Sequence, residues 1–150
     1  MLQQIRLANW LLEVDIIKTR EFYKEGINVC SCLYCNNFVD ACKHLDSSVA
    51  NVFNKLGIDP AMPAHLSQFP TIETMRRLYT GHYHLVGRVL EGELSTSSNW
   101  NETNTIEIKN FIFGFSEDLE FVPGSFPNPV LQLDFEAEIQ WVLDEKPDEN

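Results

Sequence analysis

Residues 131–143 admit one kind of element. Leu131, Leu133, Phe135, Ala137, Ile139, Trp141 and Leu143 alternate with Gln132, Asp134, Glu136, Glu138, Gln140 and Val142. Successive side chains of a strand point to opposite faces, so an apolar set at period two needs a sheet with one buried side. The opposite side then carries the carboxylates of Asp134, Glu136 and Glu138 in a row.

The chain before it divides into a helical part and a strand part. Residues 5–14 read as a strand, with Trp10, Leu12 and Val14 on one face. Asp15 can cap a helix over 16–24, which Glu25-Gly26 ends. Cys35, Phe38, Val39, Cys42 and Leu45 form one stripe of a helix over 35–45. Val49, Val52, Phe53 and Leu56 form another over 49–56, between the cap candidates Asp46-Ser47-Ser48 and Gly57. Residues 57–72, with three prolines, read as a loop, and 74–79 as one helical turn. Strands follow at 82–94 and 105–115, separated by a polar loop over 95–104 with Trp100 at its tip. Residues 116–118 turn the chain, and the prolines of 121–129 keep that stretch irregular. Runs of helix followed by runs of strand predict an α+β fold. The expectation is one domain over 1–150: a mainly antiparallel sheet of about four strands, a helical hairpin on one face, and a frayed acidic tail at 146–150.

All four cysteines lie between positions 30 and 42. On a continuous helix the Cα atoms of Cys35 and Cys42 would be about 10.5 Å apart. Two sulfurs on one zinc each lie about 2.3 Å from it, so Cys42 cannot share an ion with Cys35. Cys42 reads as a core residue of the stripe. Cys30, Cys32 and Cys35 sit at or before the helix N-terminus, where the dipole favours thiolates. They fit a zinc knuckle, completed by His44, His82 or His84, with His84 the ligand we expect. They also fit a redox pair, or three reduced cysteines packed under a helix.

C-x-C-x-Y-C-x-N-F from Cys30, L-G-I-D-P from Leu56 and G-x-Y-H-x-V-G from Gly81 occur together. This set resembles a small uncharacterised protein family of Firmicutes and their phages, over about positions 10 to 92. The resemblance implies that the three motifs belong to one unit, and it brings no catalytic residue.

Charge is uneven. Residues 1–88 hold eight acids and nine Lys or Arg; residues 89–150 hold fourteen acids against Lys109 and Lys146. The net charge is −11. Phosphate binding needs Lys and Arg, so the acidic half excludes direct nucleic-acid binding and favours a basic protein partner. Plain solubility also explains such a surface. No apolar run reaches the length of a membrane span, and four cysteines without an export signal predict a reducing cytoplasm. No nucleotide-binding or hydrolase motif is present. Two functions stay open. One is a non-enzymatic binding module using Asp134, Glu136 and Glu138, which on a phage gene would inhibit a host nucleic-acid-binding system. The other is a zinc- or thiol-dependent enzyme, or a zinc-stabilised domain, using Cys30, Cys32 and Cys35.

Overall fold

The expected strand at 5–14 is a hairpin. In the computed structural model, which describes residues 2–73 and 75–147, β1 (Gln3–Leu7) and β2 (Trp10–Val14) pair antiparallel up to Leu7 opposite Trp10. The apolar residues change parity there, from Ile5 and Leu7 to Trp10 and Leu12. A continuous strand would point the two sets to opposite faces, and a two-residue turn puts them on one. Ala8 turns the chain at φ 52°.

The strand expected at 105–115 is divided for the same reason. β5 (Ile106–Ile108) and β6 (Phe111–Ser116) pair around Lys109, at φ 55°, so Ile106 lies opposite Phe113 rather than on the far face.

Three helices separate the first hairpin from the remaining strands: α1 (Ile16–Glu25), α2 (Leu33–Ala41) and α3 (Ser47–Leu56). Their boundaries follow local chemistry. Asp15 accepts from the Lys18 amide and Asp46 from the Ser48 amide, each satisfying a free N–H of a first turn. Gly57 closes α3 at φ 79°, in the left-handed region. α2 is shorter than expected, because residues 42–44 tighten into a single 3-10 turn.

β3 (His65–Pro70), β4 (Arg76–Glu91) and β7 (Val130–Gln140) complete the sheet. Among the described residues it has seven strands rather than about four, in the order β1-β2-β4-β7-β6-β5, with β3 also paired to β4 and every pairing antiparallel. The extra strands are the two split hairpins and β3, which lies inside the expected loop. β3 tolerates Pro70 because it is an edge strand. Of the helical turn expected at 74–79, Thr74 lies outside the described residues. From Arg76 the chain is strand, since β7 and β3 pair with it on both sides. Residues 148–150 of the expected tail also lie outside the described residues.

β4 organises the sheet. One edge runs beside β7 from Arg76 to Val86; the other is shared by β3, opposite residues 77–82, and β2, opposite 87–91. α1 satisfies the backbone between them. Tyr23 Oη donates to the His84 carbonyl at 2.8 Å, Thr19 Oγ1 accepts from the Val86 amide at 2.9 Å, and the Asp15 amide donates to the Val86 carbonyl at 2.8 Å. Buried donors and acceptors need partners, and side chains supply them where no strand fits.

Alternate residues of β4, β6 and β7 form the buried face: Tyr79, Tyr83, Phe111, Phe113, Leu133 and Phe135. Phe38 of α2 stacks on Phe135 with ring centres 5.5 Å apart, and Phe53 of α3 meets Tyr83 at 5.0 Å. α3 also lies against α1: a Cβ at Gly57 would come within 2.7 Å of the Ile16 carbonyl oxygen. No helix among the described residues is long and apolar enough to cross a membrane.

Candidate functional site

The other face of the same strands is polar. β4 and β7 place His82 opposite Asp134 and His84 opposite Gln132. Nδ1 of His82 lies 2.5 Å from Oδ1 of Asp134, and its Nε2 lies 3.4 Å from Oε2 of Glu120. Burial disfavours a charge on His82, but the two carboxylates outweigh it and its pKa is raised. His82 is thereby held toward the imidazolium form.

Gln132 ties this pair to the segment that follows β6. Its Oε1 accepts from the Glu120 amide at 2.6 Å, and its Nε2 donates to Asp134 at 2.8 Å. An amide N–H can only donate, so the same Oε1 must accept from His84 Nε2, 3.0 Å away. The His84 tautomer is thus fixed, with Nδ1 buried as an acceptor that has no hydrogen-bond partner among the described residues. Burial lowers the pKa of His84. The pKa values of two histidines two residues apart are in this way shifted in opposite directions.

His82, Glu120, Gln132 and Asp134 line a cavity of about 360 Å³, and His84 lies behind Gln132 outside its lining. Its acidic members are Asp118, Glu120, Asp134 and Glu136. Trp100 walls one side, lying over Gly114, where a Cβ would come within 2.7 Å of the indole. His65 and Ser67 wall another. The His65 ring stacks on Phe121 at 4.3 Å and on His82 at 5.8 Å, and its Nε2 is 3.0 Å from Ser67 Oγ. Burial and the neighbouring His82 lower the pKa of His65.

The expected carboxylate row is divided. Asp134 is engaged by His82 and Gln132 rather than solvated. Glu136 borders this cavity and also a second hollow that contains Glu138, Arg76 and Lys109. Glu138 is exposed in that second hollow. His65, Glu120 and Gln132 were not singled out in the sequence. The signal for His65 and Gln132 is the strand register, which spacing along one strand does not carry, and Glu120 lies past the end of β6.

The cysteine cluster lies at the start of α2. The sulfurs of Cys30, Cys32 and Cys35 are all within 4.8 Å of one another. Cys32 caps the helix through its sulfur, which accepts from the Cys35 amide at 3.4 Å; the Cys30 sulfur accepts from the Cys32 amide at 3.4 Å. Burial opposes a thiolate at Cys32, but hydrogen bonds from the Cys35 amide and its neighbours leave its pKa lowered. Burial, then Cys32 and Cys30, push that of Cys35 up.

Cys42 stands apart, in the 3-10 turn that follows α2: its thiol donates to the Pro60 carbonyl at 3.4 Å, and burial first, then Asp59, push its pKa up to about 12. The structure does not bring His84 to the cysteines. It points to the polar face of β4, whereas the cysteine helix contacts the aromatic face through Tyr34, whose carbonyl accepts from Tyr79 Oη at 2.7 Å. Among the described residues no histidine or carboxylate joins the group. No family model, curated protein or solved structure matches the chain at a significant level.

Proposed function

We propose that this protein is a non-enzymatic binding module whose acidic cavity receives a cationic side chain of a basic protein partner. One observation carries the reading: Asp118, Glu120, Asp134 and Glu136 converge on a single cavity with His82, whose raised pKa favours a positive charge. The carboxylates outnumber that charge, and an added cation would lower their mutual repulsion. The aromatic wall suits the same guest, since an ammonium or guanidinium group is attracted to the face of an indole such as Trp100. Both ring nitrogens of His82 face carboxylates, which supports a charge-balancing role over that of a free base. On this reading α2 and α3 act as a hairpin that backs the sheet and leaves the polar face for the partner.

Calorimetry with a Lys/Arg-rich peptide and an acidic peptide of equal length tests it. The basic peptide is expected to bind, with affinity that falls as salt rises. The pair Glu120→Gln and Glu136→Gln should weaken that binding. Equal binding of both peptides, or binding insensitive to salt and to the two substitutions, would overturn the reading.

A further inference from the structure

The cysteine cluster is separate from this cavity. Its three sulfurs lie within 4.8 Å of one another. Sulfurs that share a tetrahedral zinc at about 2.3 Å lie about 3.8 Å from one another, so modest side-chain rotation closes the gap.

The backbone is arranged for negative sulfur. The sulfur of Cys30 accepts from the Cys32 amide, and that of Cys32 from the Cys35 amide. Each such bond draws charge from a sulfur, which lets several thiolates share one dication. The N-terminus of α2 adds its dipole in the same direction. Cys30 and Cys32 are exposed, so an ion can reach them from solvent, while buried Cys35 anchors the third corner.

We propose that Cys30, Cys32 and Cys35 form a three-thiolate zinc site whose fourth position is held by water. Zinc takes four ligands, and among the described residues no other Cys, His, Asp or Glu joins the three sulfurs. An open fourth position distinguishes this site from a closed structural knuckle. Binding releases the protons that the thiols carry.

Reduced protein, stripped with a chelator and titrated anaerobically with zinc chloride, should take up one equivalent. Cobalt(II) in its place should give sulfur-to-metal charge-transfer bands of a tetrahedral site. Cys30→Ser and Cys32→Ser should each lose stoichiometric uptake. Both positions are exposed, and serine at 32 retains an oxygen to cap α2, so the fold is kept. Cys42→Ala should bind like the parent. Uptake retained by the Cys30→Ser/Cys32→Ser double variant, or no uptake by the reduced parent, overturns the site. Cobalt bands of an all-sulfur four-ligand centre overturn the open position.

Discussion

The two faces of β7 are built from adjacent residues and obey different rules. Phe135 is 2 % exposed and packs among Phe38, Tyr83 and Phe111. Asp134, one position earlier, bonds to His82 and Gln132, and Glu136, one position later, borders the cavity. On the helix-covered face the rings interlock and stability comes from area removed from water. On the other face the groups are few, specific and charged. The first face holds the sheet in shape, and the second uses that shape to bring together residues distant in sequence.

The largest effect should come from breaking the covered face. Phe135→Ala removes a ring that three others touch, and is expected to cost about 3–5 kcal/mol. Urea unfolding of the variant checks it, and a loss comparable to that of a surface substitution would mean that the helices do not depend on this ring. A cost of this size can unfold a small domain outright. Phe38→Leu, a milder truncation at the partner ring, should give a measurable loss in the same direction.

The covered face was the more legible of the two in the sequence. Period-two runs and helical stripes named Phe38, Phe53 and Phe135 as core, and Asp15, Asp46 and Gly57 as helix boundaries, because those signals are local. The strand number was underestimated where a change of parity marked a turn. Ile5 and Leu7 pass to Trp10 and Leu12 across Ala8-Asn9; Ile106 and Ile108 pass to Phe111 and Phe113 across Lys109-Asn110. β3 was hidden by Pro70 at its end and by Pro60 and Pro63 before it, and an edge strand accepts a proline. The cavity was illegible for a different reason. His82 meets Asp134 through the register of β4 against β7, a relation across fifty-two positions that no spacing along one strand encodes. The cysteine triangle spans six positions and was legible from spacing alone, whereas the placement of His84 with it failed because the face of β4 depends on the whole sheet.

An intermediate effect is expected at Asp134, and it should depend on pH. The folded pKa of His82 lies above its ordinary value of 6.5. Its contact with Asp134 therefore stabilises fully below about pH 6.5 and loses that contribution as pH rises through the raised folded value. The depressed pKa of His84 acts oppositely: the unfolded chain takes up that proton first as pH falls through 6.5, at a cost to the fold. Asp134→Asn should lower the His82 pKa in an NMR titration and destabilise by about 1–3 kcal/mol, more at acid than at alkaline pH. A loss independent of pH would show that Asp134 acts as a neutral hydrogen-bond acceptor.

Glu136→Gln should have the smallest effect on stability and so sharpens the contrast within one strand. Glu136 lies opposite Thr80 on β4 and Ile112 on β6, neither of them charged. It faces the same side as Asp134, and side chains two apart on a strand lie about 6.6–7 Å from each other. At that distance, partly exposed to solvent, two carboxylates repel by tenths of a kcal/mol. Removing the charge should leave stability within about 0.5 kcal/mol of the parent, on the stabilising side. The same substitution should weaken a basic peptide and flatten the salt dependence of its binding, because it deletes a charge not engaged by His82. Thermal unfolding and calorimetry on one preparation measure both. If Glu136→Gln destabilises as much as Asp134→Asn, the carboxylates form one structural network with His82, and the division between a neutralised Asp134 and a free Glu136 is lost.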